Sequence, residues 1–174
     1  MTMQLIETKT LAVDTASISF TSIPQDGTDL FVFLSLRSTP TADPAGSYYI
    51  IAINGGGTST STRYLQGTGS SVASATLANL AGIASANSGT SNTFANDSVY
   101  IPNYTSSNAK SYSVDSVTEN NATGAYQILV AGLWNVTSAI TSLAFTTSAG
   151  NFMIGSTVSL YKITKGSDGI VTTS

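Results

Sequence analysis

Residues 28–39 read "TDLFVFLSLRST", a run that is apolar at most positions and far shorter than the roughly 18 to 20 residues of a membrane-spanning helix. Leu30, Val32, Leu34 and Leu36 fall two apart, with Phe31 and Phe33 between them. A period of two puts side chains on alternate faces of an extended strand, whereas a helix groups positions three and four apart. A strand that is apolar on both faces lies in the middle of a sheet or meets a second surface on its far side. The four aliphatic residues are therefore expected in a core, and Phe31 and Phe33 on the opposite face.

Turn chemistry and further alternation recur on both sides of this strand. Upstream, "PQDG" (24–27) has the proline and Asp-Gly of a tight hairpin, and "SISFTSI" (17–23) sets Ile18 and Phe20 on one face. "MQLIETKTLAV" (3–13) is expected to turn Met3, Leu5, Leu11 and Val13 inward, and residues 1–10 are also placed to serve as an N-terminal arm. Downstream, Pro40 and Pro44 mark a loop. "YYIIAING" (48–55) reads as a strand ended by Asn54–Gly57, where positive φ is readily adopted, and "TSTSTRYLQG" (58–67) as a polar strand. "SVASATLANLAGIASANSG" (71–89) is ambiguous: its Ala and Leu suit a short helix, while Gly82 and the flanking serines favour a small strand or an ordered loop.

The second half is more regular. "FANDSVYIPNY" (94–104) carries Val99 and Ile101, and Pro102 points to an edge or a bulge. "KSYSVDSVTE" (110–119) sets Tyr112, Val114 and Ser116 against Ser113, Asp115 and Val117. The polar run from Tyr100 to Asn121 thus reads as a strand, a turn over "NYTSSNAK" and a returning strand, its hydroxyls facing water. "AYQILVAGLWNV", "ITSLAFTTSA" and "GSTVSLYKI" complete the set, with Val158, Leu160 and Lys162 opposing Ser159, Tyr161 and Ile163. Residues 165–174 read as a loose C-terminal tail. Nine or ten short strands with almost no helix predict one domain over residues 1–174, an all-β, two-sheet β-sandwich. It should be jelly-roll-like, because the Cys–Trp–Cys core of immunoglobulin domains is missing.

Composition narrows the chemistry. With no cysteine and no histidine, the chain has no thiolate nucleophile, no disulfide and neither of the commonest zinc ligands. Only 9% of residues are charged, against about 25% in ordinary globular proteins, while Ser and Thr number 53. A net charge of −3 leaves no basic face for phosphates, so nucleic acid is not an expected partner. The longest wholly apolar run is "ILVAGLW" (128–134), so no membrane partner is expected either. Glu7 and Lys9 fall where a secretory leader needs its apolar core, which favours synthesis in a cytoplasm without export. The sequons at Asn96, Asn103, Asn121 and Asn135 then read as chance.

Catalytic constellations fit poorly. A Ser-His-Asp triad has no imidazole, and Ser-Lys chemistry would need Lys9, Lys110, Lys162 or Lys165 buried beside a serine, whereas all four lie in polar or alternating surroundings. Asp97, Asp115 and Glu119 are the clustered acids of the second half and could form a glycosidase pair, but read more simply as solvated strand-edge and turn charges. "NGGGTSTSTR" lacks the lysine and helix of a phosphate loop. Asp26 and Asp29 come nearest to a calcium site, and the hairpin reading accounts for both. Tyr48, Tyr49, Tyr64, Tyr104 and Trp134 could stack on a sugar, although Trp134 sits within an apolar run and reads as core. No catalytic, cofactor or metal residue is assigned. The low charge is instead the property of a surface that associates, since interface centres exclude charge. Phe31, Phe33, Tyr64 and Tyr104 are the partner-facing candidates.

"TLAVDTASISFTSIPQDGTDLFVFLSLRST", the stretch from Tyr100 to Phe145 and the closing "NFMIGSTVSLYKI" resemble a β-sandwich module of structural proteins in tailed bacteriophages. The resemblance spans about Thr10 to Ile163 and rests on strand and turn residues, so it brings no catalytic or cofactor group. It implies a place on the virion, as a capsid decoration (cement) protein or as part of a fibre, commonly as a trimer. A fibre needs a shaft of heptads, collagen-like repeats or β-helix, which this single module lacks. The expectation is a non-enzymatic, homotrimeric decoration protein that stabilises the phage head by binding the major capsid protein, assembled in the host cytoplasm. The alternative is a receptor- or glycan-binding head of a tail fibre or other appendage. A glycoside-cleaving enzyme that uses Asp115 is the third class.

Overall fold

A computed structural model describes residues 2–41, 47–56, 60–119 and 124–165. The turn at Gly57, the sequon at Asn121 and the tail beyond Lys165 lie outside them. The described residues contain thirteen strands and no helix. In chain order these are β1 (Thr2–Thr10), β2 (Ser17–Phe20), β3 (Asp29–Ser38), β4 (Tyr48–Ile53), β5 (Thr60–Gly67), β6 (Val72–Ala75), β7 (Leu80–Ile83), β8 (Ser85–Ala86), β9 (Ala95–Ile101), β10 (Lys110–Glu119), β11 (Ala125–Trp134), β12 (Leu143–Thr147) and β13 (Thr157–Thr164).

They form two sheets. The large one runs β1-β13-β3-β9-β10-β11-β5-β6, with β8 added in parallel to the end of β3, and the small one runs β2-β12-β4-β7. If the antiparallel meander β9–β10–β11 is counted as one position, β2 to β12 reproduce jelly-roll winding, in which successive strands wrap from sheet to sheet. The meander widens one position, and β13 and β1 extend the same sheet beyond β3. An all-β sandwich with jelly-roll winding is therefore the observed fold.

Alternation places the core as the sequence requires. Leu30, Val32, Leu34 and Leu36 of β3 are buried, as are Val99, Ile101, Tyr112 and Val114 of the β9–β10 hairpin. Against them pack Ile18 and Phe20 of β2, Tyr49, Ile51 and Ile53 of β4, and Leu143 and Phe145 of β12. Trp134 is core, as read. The ambiguous stretch 71–89 supplies β6, β7 and β8, which accounts for the three strands beyond ten.

Four local expectations give way. "PQDG" does not close a hairpin, because β2 and β3 belong to different sheets and the turn carries the chain between them. Residues 2–10 are not a free arm but strand β1, paired with β13 from Thr2↔Thr164 to Thr10↔Thr157. Met3, Leu5 and Val13 are exposed and Leu11 only half-buried: Leu5 falls in the outward row with Tyr161 and Phe31, Met3 shares its phase, and the register shift between Leu5 and Glu7 resets the alternation. Pro102 lies just past the end of β9, a central strand between β3 and β10, so it stops a strand and marks no edge.

Gly132 is required by its cross-strand neighbour. It lies opposite Tyr112, and a Cβ added there would come 2.1 Å from the tyrosine ring. Gly132→Ala should lower stability by about 2 kcal/mol through overpacking, read as a lower denaturant midpoint. In Tyr112→Leu the added methyl should cost less, so the double variant should lose less than the two single losses combined.

Candidate functional site

The outward face of the large sheet is the largest surface built from regular structure, and registers fix what it displays. One cross-strand row runs Thr8–Ser159–Phe33–Ser98–Asp115–Leu129–Leu65–Ser74. The neighbouring row runs Leu5–Tyr161–Phe31–Tyr100–Ser113–Ala131–Arg63. Two apolar patches result. At the β13–β3–β9 end, Phe31 and Phe33 are 4.7 Å apart between ring centroids, with Tyr100 and Tyr161 at 6.2 and 5.8 Å. At the β11–β5–β6 end, Leu65, Leu129, Leu133 and Val72 stand exposed, Val72 at 90% and Leu65 at 60%. Between the patches, β9 and β10 present Ser98, Ser111, Ser113 and Asp115. Two shallow depressions of about 490 Å³ each border Leu65, Ser74 and Leu129.

The two margins of this sheet differ. The β1 margin carries Glu7 ion-paired with Lys9 and a register shift between Leu5 and Glu7, both of which discourage another strand from pairing. The β6 margin, Val72–Ala75, is exposed at every residue and has no charge, proline or bulge. A bare edge of this kind is a template for strand addition.

Among the predicted partner-facing residues, Phe31 and Phe33 sit on this face, with Phe33 46% exposed. Tyr64 is half-buried on the inward side of β5, 6.3 Å from Tyr48. Tyr104 is a correction: it is fully buried, its hydroxyl donating to the Pro24 carbonyl and accepting from the Gly27 amide at 3.3 Å. It locks the sheet-crossing turn and presents no ring to a ligand. Tyr49 is likewise core.

Most of the candidate acids and cations are engaged within the fold. Asp97 is also a correction: far from solvated, it is buried on the inward face of β9. Asp115 points outward from β10, so the two carboxyls lie on opposite faces of one sheet and cannot act on one glycosidic bond. Asp26 pairs with Lys162, whose hydrogen bond holds its carboxyl below the usual range. Burial pushes Asp29 up, but hydrogen bonds from Lys165, the Asn103 amide and Tyr100 outweigh it, and its carboxyl is held low. Cations thus occupy both candidate calcium ligands, and among the described residues no group of three acids converges. Contrary to its polar surroundings in sequence, Lys110 is buried. Its Nζ donates to the carbonyls of Ser106, Thr137 and Ser138 at 2.7, 3.2 and 2.6 Å and lies 5.3 Å from the Trp134 ring. Arg37 similarly donates to the carbonyls of Asn87, Gly89, Thr90 and Thr93, fixing that loop.

The chain matches no family model, no curated protein and no solved structure. Sequence reading missed Leu65, Leu129, Leu133 and Val72 as surface residues. The signal for two of them was present: "ILVAGLW" is apolar in both phases of a period-two pattern, as "DLFVFL" is, so one phase had to face outward.

Lys110→Met keeps the apolar stem but leaves three carbonyls without their donor. Thermal denaturation at neutral pH should register a loss of about 2 kcal/mol, with amide exchange accelerated through residues 102–109.

Proposed function

We propose that this chain is a structural assembly module of a tailed-phage virion, a decoration protein seated as a trimer on the capsid shell. The observation that carries the reading is the outward face of the large sheet, where two apolar patches and a bare β6 edge lie amid hydroxyls, with few charges. Interface centres are depleted in charge and enriched in aromatic residues, which matches the Phe31–Phe33–Tyr100–Tyr161 cluster. A non-enzymatic role is supported by the engagement of Lys110, Arg37, Asp26 and Asp29 in holding loops and turns. The virion and capsid assignment rests on the sequence resemblance.

In this reading, three modest footprints bind together, and their high effective concentration supplies the avidity that no single footprint has. Apolar and hydroxyl-rich contacts are weakly screened, so attachment should change little between about 50 mM and about 500 mM salt. The glycan-binding alternative loses Tyr49, Tyr104 and Trp134 to the core and keeps only the half-buried Tyr48 and Tyr64 among its candidate platforms.

Sedimentation at micromolar concentration tests the assembly step. The wild type should run as a trimer, and a Leu65→Glu/Leu129→Glu variant should run as a folded monomer. Added to capsids lacking the protein, the wild type should raise their resistance to heat, and the variant should not. A wild-type monomer that leaves the capsids unchanged would overturn the reading.

A further inference from the structure

Asp97 lies where the two sheets meet through polar atoms deep in the core. Tyr49 of the small sheet donates its hydroxyl to Asp97 Oδ2 at 2.8 Å. Ser116, beside Asp97 on β10, accepts the amide of Ile83 from β7 at 3.0 Å. The sheets approach closely here because Gly82 has no side chain: a Cβ would sit 2.5 Å from the Tyr49 hydroxyl and 2.9 Å from Ser116 Oγ. Gly82 also has φ of 143°, which other residues rarely adopt. Asp97 Oδ1, by contrast, is buried with no hydrogen-bond partner.

A carboxylate in that position is under-supported. No lysine or arginine pairs with it among the described residues. β4 faces it with Tyr49, β10 with Ser116 and the Val117 amide, β3 with Leu34 across the register, and β7 with uncharged residues. Asp115, an acid on the opposite face, opposes ionisation. Burial raises the Asp97 pKa to about 7, against the lowering pull of Ser116, Tyr49 and the Val117 amide. The chain contains no histidine or cysteine to titrate in the same range.

We propose that Asp97 is a pH-sensitive latch between the two sheets, closed while its carboxyl is protonated and loosened when the carboxyl ionises in its buried, cation-free pocket. The sign follows from linkage. The unfolded carboxyl titrates near 3.8 and the folded one near 7, so between those values the folded protein binds more protons. Stability is therefore highest on the acid side, falls as pH rises through that interval, and levels off above about pH 7. Asp26 and Asp29 act in the opposite sense, but at lower pH, because their carboxyls are held below the ordinary value. This inference is independent of the assembly reading.

Carboxyl carbon NMR on the wild-type protein reads the latch directly. Asp97 should titrate with a midpoint near 7, and a midpoint below about 5 would overturn the proposal. In thermal melts the wild-type Tm should fall by an amount on the order of 10 °C between about pH 5 and about pH 8, and Asp97→Asn should abolish that fall. An equal fall in Asp97→Asn would assign the pH dependence elsewhere and overturn it. Should Asp97→Asn fail to fold, Tyr49→Phe decides: losing the hydroxyl donor should move the midpoint higher still, and an unchanged midpoint would refute the bridge.

Discussion

A four-stranded sheet cannot cover a nine-stranded one, and much of this molecule follows from that mismatch. Where β2, β12, β4 and β7 lie over the large sheet, inward side chains are buried almost without exception. Beyond them the same alternation continues with nothing opposite. β1 buries no hydrophobic side chain fully, β6 is exposed at every residue, and on β5 burial fades from Thr60 and Thr62 to the half-buried Tyr64 and Gln66. Overhanging strands keep their hydrogen bonds but lose apolar burial, at roughly 25 cal/mol for each Å². They are held chiefly by their ladders, β1 to β13, β5 to β11 and β6 to β5, and their sequences, rich in Thr, Ser and Gln, match that role.

With few charges available, the chain uses them to organise loops. Arg37 and Lys110 are buried without a carboxylate partner, a costly arrangement unless every donor finds an acceptor. Backbone carbonyls supply the acceptors: four around Arg37 and three around Lys110. A loop folded around a cation satisfies carbonyls that regular structure has left unpaired, so two irregular segments are fixed without helix or disulfide. Tyr104 does the corresponding work at the β2–β3 crossing with a neutral hydroxyl.

Periodicity made the sheets legible and could not go further. "DLFVFLSL" and "KSYSVDSVTE" state which residues turn inward, and burial follows them position by position, down to Ser116 and Lys162. Periodicity does not state which strands pair, so "PQDG" looked like a hairpin when it joins two sheets. It also does not state which phase of an alternation faces inward or where a bulge resets it, which is why Met3 and Leu5 were expected inside. Asp97 and Tyr104 failed for another reason. Polar residues in polar surroundings read as surface, and only the fold brings Tyr49, Ser116 and Gly82 around one and Pro24 and Gly27 around the other. Of the candidate surface, Phe31 and Phe33 were legible from two-faced apolarity. The Leu65–Leu129 pair needed the β11–β5 register.

The contrast between the two margins of the large sheet bears hardest on how the molecule meets others. A free edge invites pairing with any exposed strand, and folded proteins usually blunt it with charge, proline or a bulge. β1 has two of these defences within five residues, Leu5 to Lys9, in a chain where fewer than one residue in ten is charged. β6 has none, and it borders the exposed Leu65 and Leu129. Glu7 and Lys9 guard one edge, and no charge guards the other. The asymmetry is explained if β6 and the adjoining face are covered in the working assembly while β1 stays open to solvent, which is the arrangement the proposed trimer on a shell requires.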